Sequence, residues 1–158
     1  MKSQIIKELK VKHPNLPYFE LSEKFHITVI GVCKILGTKN YKIVNNDNHK
    51  NNEYSIEIFD NNNNVIWYET VGGLWQKYEY DTNNNQIYKE YSNGFWVKYE
   101  YDKNNNLIYF INSTGLWVKY EYDKNNNKTQ WEDSEGFITK YTYNEKNVCT
   151  GFTEYKKK

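Results

Sequence analysis

Side chains able to do chemistry are sparse in this chain, and the ones that recur do so at a fixed interval. Trp75, Trp96 and Trp117 are spaced 21 residues apart, as are Lys77, Lys98 and Lys119. Asp60, Asp81, Asp102 and Asp123 follow the same interval, with Asn144 next in the series. Indoles beside ammonium groups suit recognition, because Trp dominates binding hot spots and its ring attracts cations. The aspartates read differently. Each opens a "DxNNN" stretch in which a carboxylate can accept forward backbone amides and Asn can adopt positive φ, so turn formation accounts for them.

The groups expected of an enzyme are missing from the pattern. His13, His26 and His49 are isolated, and Cys33 and Cys149 lie far apart without metal-ligand spacing. There is no glycine-rich phosphate loop and no nucleophile elbow. The sequence therefore predicts no catalysis, no cofactor and no metal, with both cysteines as small buried apolar residues.

The elements that position these side chains follow from the letters between them. In "LWQKYEYD" one parity holds Leu74, Gln76, Tyr78 and Tyr80, and the other holds Trp75, Lys77 and Glu79. Period two with aromatic residues throughout predicts a strand. A second strand follows each Asp-Asn turn, and a glycine at Gly73, Gly94, Gly115 or Gly136 closes the unit. A period of 21 residues thus predicts a β-hairpin that needs a like neighbour for stability. About ten strands in meander order should form an antiparallel sheet, open or curled.

"YEYDKNNN" resembles the YD-repeat, or RHS-like, motif over about residues 53–155. Asn84, Asn105 and Asn126 stand at that family's glycine position, and Asn85, Asn106 and Asn127 at its asparagine position. The resemblance implies the hairpin repeat. Large members coil such repeats around a toxin, a role that four and a half repeats are too short to carry. The Leu or Phe, Val and Tyr parity is expected to face the core. The Trp, Lys and Glu parity is expected to be amphipathic, either ion-paired across strands over half-buried Trp or used for recognition.

Residues 1–44 differ in character. Positions 1–50 hold nine Lys against four acids, whereas 51–158 hold twelve Lys against sixteen, and the Asn-rich stretch 45–52 reads as a linker between them. With Leu21 at the fourth position of a helix-turn-helix, Ser22, Phe25, Ile27, Val32 and Ile35 fit that motif, while His26 stands where glycine is usual. The stretch 18–42 resembles a bacterial or phage helix-turn-helix. Tyr18–Phe25 and Thr28–Leu36 would be its helices, Thr28 its N-cap and Gly37 its stop, with an amphipathic helix from Ser3 to Lys10 bracing it. A strand through "KFHITVIGVCKI" is the competing reading. Lys24, Thr28, Lys34, Lys39 and Lys42 are the candidate nucleic-acid contacts.

The fold class expected is α+β, mainly β: a basic helical segment (1–44), a linker (45–52) and a repeat sheet (53–158). No arginine and no alanine occur, a bias that points to AT-rich coding and removes the commonest guanine reader. No apolar run is long enough for a membrane span and no secretory h-region is present, so a cytoplasmic location is expected. The function expected is a non-catalytic binding protein whose partner is a host protein or nucleoprotein. A phage or mobile-element inhibitor of anti-CRISPR type is one instance. A DNA-binding regulator with the sheet as dimerisation scaffold, and glycan or choline-type binding, are the alternatives. Homodimers through sheet edges are a further possibility that an open sheet brings.

Overall fold

The computed structural model describes residues 1–26, 28–45 and 54–157. Ile27, His49 and the linker expected after Asn45 therefore lie outside, or almost wholly outside, the described residues. Three helices come first, α1 (Lys2–Lys12), α2 (Tyr18–Phe25) and α3 (Val29–Leu36). Eleven strands follow and hydrogen-bond in chain order as an antiparallel meander. They are β1 (Tyr41–Asn45), β2 (Tyr54–Phe59), β3 (Val65–Thr70), β4 (Trp75–Tyr80), β5 (Gln86–Tyr91) and β6 (Trp96–Tyr101). The remainder are β7 (Leu107–Asn112), β8 (Trp117–Tyr122), β9 (Lys128–Asp133), β10 (Phe137–Tyr143) and β11 (Cys149–Lys156). The expected class, α+β and mainly β, is the observed one. Strand β1 is an addition: Tyr41–Asn45, assigned above to the helical segment, pairs antiparallel with β2.

Two compact units divide the chain. One holds residues 1–78 with 91–93, and the other holds 79–90 with 94–158.

In the first unit the helices form where their caps dictate. Thr28 Oγ1 accepts the Gly31 amide at 3.1 Å, and Gly37 ends α3 at φ 71°. The caps hold "VIGVCKIL" helical from Val29 to Leu36 and decide against the strand reading there. His26 ends α2 in the left-handed region at φ 49°, at the position where a helix-turn-helix usually has glycine. The helices pack onto β2 and β3. Ile6, Tyr18, Leu21, Val32, Cys33, Ile56, Ile58 and Trp67 form the core, and each large aliphatic buried there contributes about 1.5–3 kcal/mol.

The face so covered is the one carrying Ile56, Ile58, Trp67 and Glu69, and register places it with Trp75 and Lys77. In this unit that corrects the expectation that the Leu, Val and Tyr parity faces the core; in β6 and β8 the Val and Tyr side chains are half-buried while Lys and Glu are exposed. Leu74 is 66% exposed and Leu116 50%, because each lies in the turn preceding its strand. Cys149 is exposed too, at the start of β11, while Cys33 is buried as expected.

The second unit contains no helix, and Ile138 and Thr139 are its buried residues among those described. Its order comes from turns and cross-strand pairs. In each Asp-Asn turn the aspartate Oδ1 accepts two amides: Asp102 takes those of Asn104 and Asn106 at 2.8 and 2.9 Å. Its Oδ2 accepts the Asn106 side chain at 3.0 Å. The residue at the glycine position is left-handed throughout, with φ 65° at Asn84, 64° at Asn105 and 63° at Asn126.

Asparagine stands there for a reason that glycine could not supply. Asn126 Oδ1 accepts from both Asn104 and Asn106 at 2.9 Å, and Asn147 Oδ1 accepts from Asn125 and Asn127 at 2.8 and 3.0 Å. The turns of this unit are thereby laced along one rim of the sheet. The second tyrosine of the "YEYD" stretches at 99–102 and 120–123, and of "YTYN" at 141–144, is also structural. Tyr101, Tyr122 and Tyr143 donate to the carbonyls of Gln86, Leu107 and Lys128, where the preceding strand begins.

The turns predict an acid response with a built-in control. Amide hydrogen bonds hold the Asp81, Asp102 and Asp123 carboxyls below the ordinary carboxylate range. A carboxyl depressed in the folded state contributes stability above its unfolded pKa of about 3.9 and loses it as pH falls through the folded value. The Asn144 turn makes the equivalent bonds, to Lys146 and Val148, without a carboxylate. Hydrogen exchange followed by NMR as pH falls below about 4 should show the Asn104 and Asn106 amides losing protection before those of Lys146 and Val148. Simultaneous loss would contradict the assignment.

A second expectation concerns His26. Relief of its left-handed backbone by His26→Gly should raise the free energy of chemical unfolding by about 1 kcal/mol and with it the midpoint. A lower midpoint would show that the imidazole makes a compensating contact.

Candidate functional site

Two constellations stand out, one in each unit. In the first unit, Glu69 on β3 is fully buried beneath the helices. Its Oε2 accepts the Tyr18 amide at 2.7 Å and the Trp67 indole at 2.9 Å, and its Oε1 accepts the Phe19 amide at 2.6 Å. Tyr18 and Phe19 are the first two residues of α2, whose N-cap, Pro17, offers no side-chain cap. A strand carboxylate thus caps a helix it meets in space, where backbone N–H groups and the helix dipole favour negative charge.

The aromatic surround completes this seat. Trp67 stacks on Trp75 with centroids 5.1 Å apart, and Lys10 Nζ lies 4.6 Å from the rings of both Tyr18 and Trp67. Lys10 also donates to the Leu16 carbonyl at 2.6 Å. Burial pushes the Glu69 carboxyl up and the Lys10 amine down to about 8, each opposed by attraction to the other. These three hydrogen bonds to Glu69 all come from N–H donors, so the ionised carboxylate is the form that fits.

In the second unit the indole face is open. Trp96 and Trp117 are half-buried, with Lys98 Nζ 5.3 Å from the Trp96 ring and Lys119 Nζ 5.2 Å from that of Trp117. Across strands Lys98 is flanked by Tyr88 and Ile111, and Lys119 by Tyr109 and Glu132. Members of the Lys column are two strands apart, so an intervening strand supplies their neighbours. Lys98 and Lys119 thus each lie beside aromatic rings, and Lys119 also lies opposite Glu132, which Lys157 Nζ meets at 2.6 Å. A depression of about 550 Å³ opens on it, lined by Glu100, Ile108, Tyr109, Lys119, Tyr120 and Glu121.

The candidate partner-binding residues therefore separate. Trp96, Trp117, Lys98 and Lys119 lie on the second unit's open face, whereas Trp75 and Lys77 belong to the first unit, where Trp75 is taken up by its stack with Trp67. Among the candidate nucleic-acid contacts, Lys24, Lys34, Lys39 and Lys42 are exposed, but Thr28 spends its hydroxyl as the α3 cap. Besides Lys34, the residue α3 exposes is Ile30. Among the described residues no cluster of His, Cys, Asp and Glu could hold a metal ion, and no helix is long and apolar enough to cross a membrane.

No protein-family model matches the chain, and no curated protein does. Solved structures do overlap with it. Crystal structures of TcdB2-TccC3-TEV and of TcdB2-TccC3 without its hypervariable C-terminal region align with 69% of the chain at 13% identity, with TM-scores of 0.41 and 0.40. The chain spans 8% of the length of each of those chains. Scores below 0.5 leave the repetitive meander resting on this chain's own registers, which agree with a YD-repeat-like hairpin array.

Glu69 and Lys10 were not singled out from the letters. An acid in "VIWYET" reads as a solvated strand residue, and the available signal was its place on the same parity as Trp67, flanked by apolar neighbours. Removing it by Glu69→Ala leaves two helix amides and an indole without their acceptor and Lys10 without its counter-charge. The expected loss is about 3 kcal/mol in chemical unfolding, with the helical far-UV signal melting first. A loss within experimental error would show that apolar packing alone seats the helices.

Proposed function

We propose that the chain is a non-catalytic binding protein whose second unit engages a protein partner through Trp96 and Trp117, with Lys98 and Lys119 beside them. The observation that carries this reading is the contrast between the two units. In the first, the Trp and Lys parity is covered by the chain's own helices. In the second, the same parity keeps half-exposed indoles next to ammonium groups on a sheet with no helix of its own. Indoles of this kind form the centres of protein interfaces when a partner excludes water from them, with charged groups such as these lysines at the polar rim.

The finer form of the reading, an inhibitor of a host defence nucleoprotein, rests on size and AT-rich coding. No observation in the folded chain favours it over another protein partner. The helix-turn-helix alternative has its two helices in place, yet the leading turn of α3 offers a cap hydroxyl and Ile30 where base-reading groups would be needed.

The test is capture from host lysate on the tagged chain, with and without nuclease, comparing the native sequence with a Trp96→Ala, Trp117→Ala variant. A partner that survives nuclease should be lost from the variant, each indole at a hot spot being worth about 2 kcal/mol or more. Equal capture by both proteins, with both still folded by thermal melt, would overturn the assignment. Capture that depends on nucleic acid and disappears in Lys34→Glu would transfer the function to the helical segment.

A further inference from the structure

The seat that holds α2 has a second copy in the sequence and in the register. On β3 and β4, Glu69 pairs with Trp75 and Trp67 with Lys77. One period later, on β5 and β6, Glu90 pairs with Trp96 and Tyr88 with Lys98. An aromatic hydrogen-bond donor two residues before the acid is kept as well. The Trp67 indole donates to Glu69 at 2.9 Å, and the Tyr88 phenol bonds to Glu90.

The other two hairpins have lost the constellation in different ways. On β7 and β8 the acid has become Ile111, opposite Trp117. On β9 and β10 the acid Glu132 remains, but its partner is Ile138, the aromatic position is Gln130, and Lys157 Nζ lies 2.6 Å from the carboxylate. Of the three later hairpins, β5–β6 is the one that keeps acid, aromatic donor, indole and lysine together.

We propose that the Tyr88, Glu90, Trp96 and Lys98 face of the β5–β6 hairpin is a docking seat for a helix of the protein partner, received N-terminus first. This deepens the reading given above and rests on it. The chemistry is that of the first unit with a half-buried carboxylate in place of a fully buried one. Glu90 accepts the leading backbone N–H groups of the incoming helix, charge complementing the positive end of its dipole. Trp96 takes the place that Trp75 has beneath the helices, offering a flat apolar ring to a side chain in the helix's first turn.

Ile56 and Ile58 flank the first seat, and one period later the sequence has Lys77 and Glu79 in their places. The preferred helix is therefore amphipathic and carries charge beyond its first turn. An aromatic residue at the first helical position, as Tyr18 is in α2 beside Trp67, would lie beside the Tyr88 ring.

The chain supplies its own probe. Residues 16–25 contain Glu20 and Lys24, both exposed and four apart on α2, so a side-chain lactam between them fixes the helix without touching its seated face. This lactam peptide, its helicity checked by circular dichroism, is titrated into the 15N-labelled full-length chain. Saturable shifts should appear at the amides of Tyr88, Glu90, Trp96 and Lys98 and at the Trp96 indole. Glu90→Gln, isosteric and partly exposed, should weaken binding by about tenfold, the worth of one charged hydrogen bond, with its own spectrum reporting that the sheet is intact.

Absence of saturable shifts, shifts confined to β3, or unchanged affinity in Glu90→Gln would each overturn the seat. The broader reading is separable. If a partner is captured through Trp96 and Trp117 while the peptide gives no shifts, the helix seat alone falls. If neither occurs, both fall.

Discussion

A left-handed residue closes every loop of the repeat array, and the geometry of the whole sheet follows from that one conformation. Asn84, Asn105, Asn126 and Asn147 hold it on one side of the hairpins, and Gly73, Gly94, Gly115 and Gly136 on the other. A loop of fixed length with a fixed last residue sets the pairing register, and a slip of one residue would turn every side chain to the opposite face. The register accordingly repeats: Glu69 opposite Trp75, Glu90 opposite Trp96, Ile111 opposite Trp117 and Glu132 opposite Ile138. Because the backbone positions are equivalent, the side chains can diverge in use while the scaffold stays the same.

That divergence separates the two units. In the first, Ile56 and Ile58 replace the charged residues of later repeats, which lets three helices settle on the sheet and bury Glu69 beneath them. In the second, Lys98, Glu100, Lys119 and Glu121 keep the same face wet, and its indoles stay half-exposed. Glu69 and Trp67 show what such a face can do with a helix: satisfy its amides, complement its dipole and set a ring beside its first aromatic residue. Buried charges are weak evidence for stability as such, since burial opposes ionisation. Their value here is orientational, because only one helix end presents donors.

Much of the scaffold was legible beforehand, and the reasons lie in particular residues. The Asp and Gly intervals fixed the hairpin period, Thr28 and Gly37 fixed the ends of α3, and the "YEYD" alternation fixed the strands. What the letters concealed was which face would be covered. The Leu, Val and Tyr parity of "LWVKYEYD" is the more apolar, so the letters ranked it as the core face, whereas in the first unit Ile56 and Ile58 stand at the Lys and Glu positions of the other parity. The deciding residues, Ile56, Ile58 and Glu69, sit in the least regular repeat. Strand β1 was hidden by the Asn-rich stretch after it, which looked like a boundary before the sheet and not an interruption within it. The Asn at the glycine position looked like a simple substitute for Gly, and its acceptor role appears only when successive turns are stacked.

The central claim is that the open indole face of the second unit is where a partner sits. Hydroxyl-radical footprinting of the complex isolated from host lysate reads this directly, because oxidation of each indole reports its exposure. Protection of Trp96 and Trp117 on binding, with Trp67 unchanged, is the result the account predicts. Equal oxidation of Trp96 and Trp117 in the free and bound chain would contradict it.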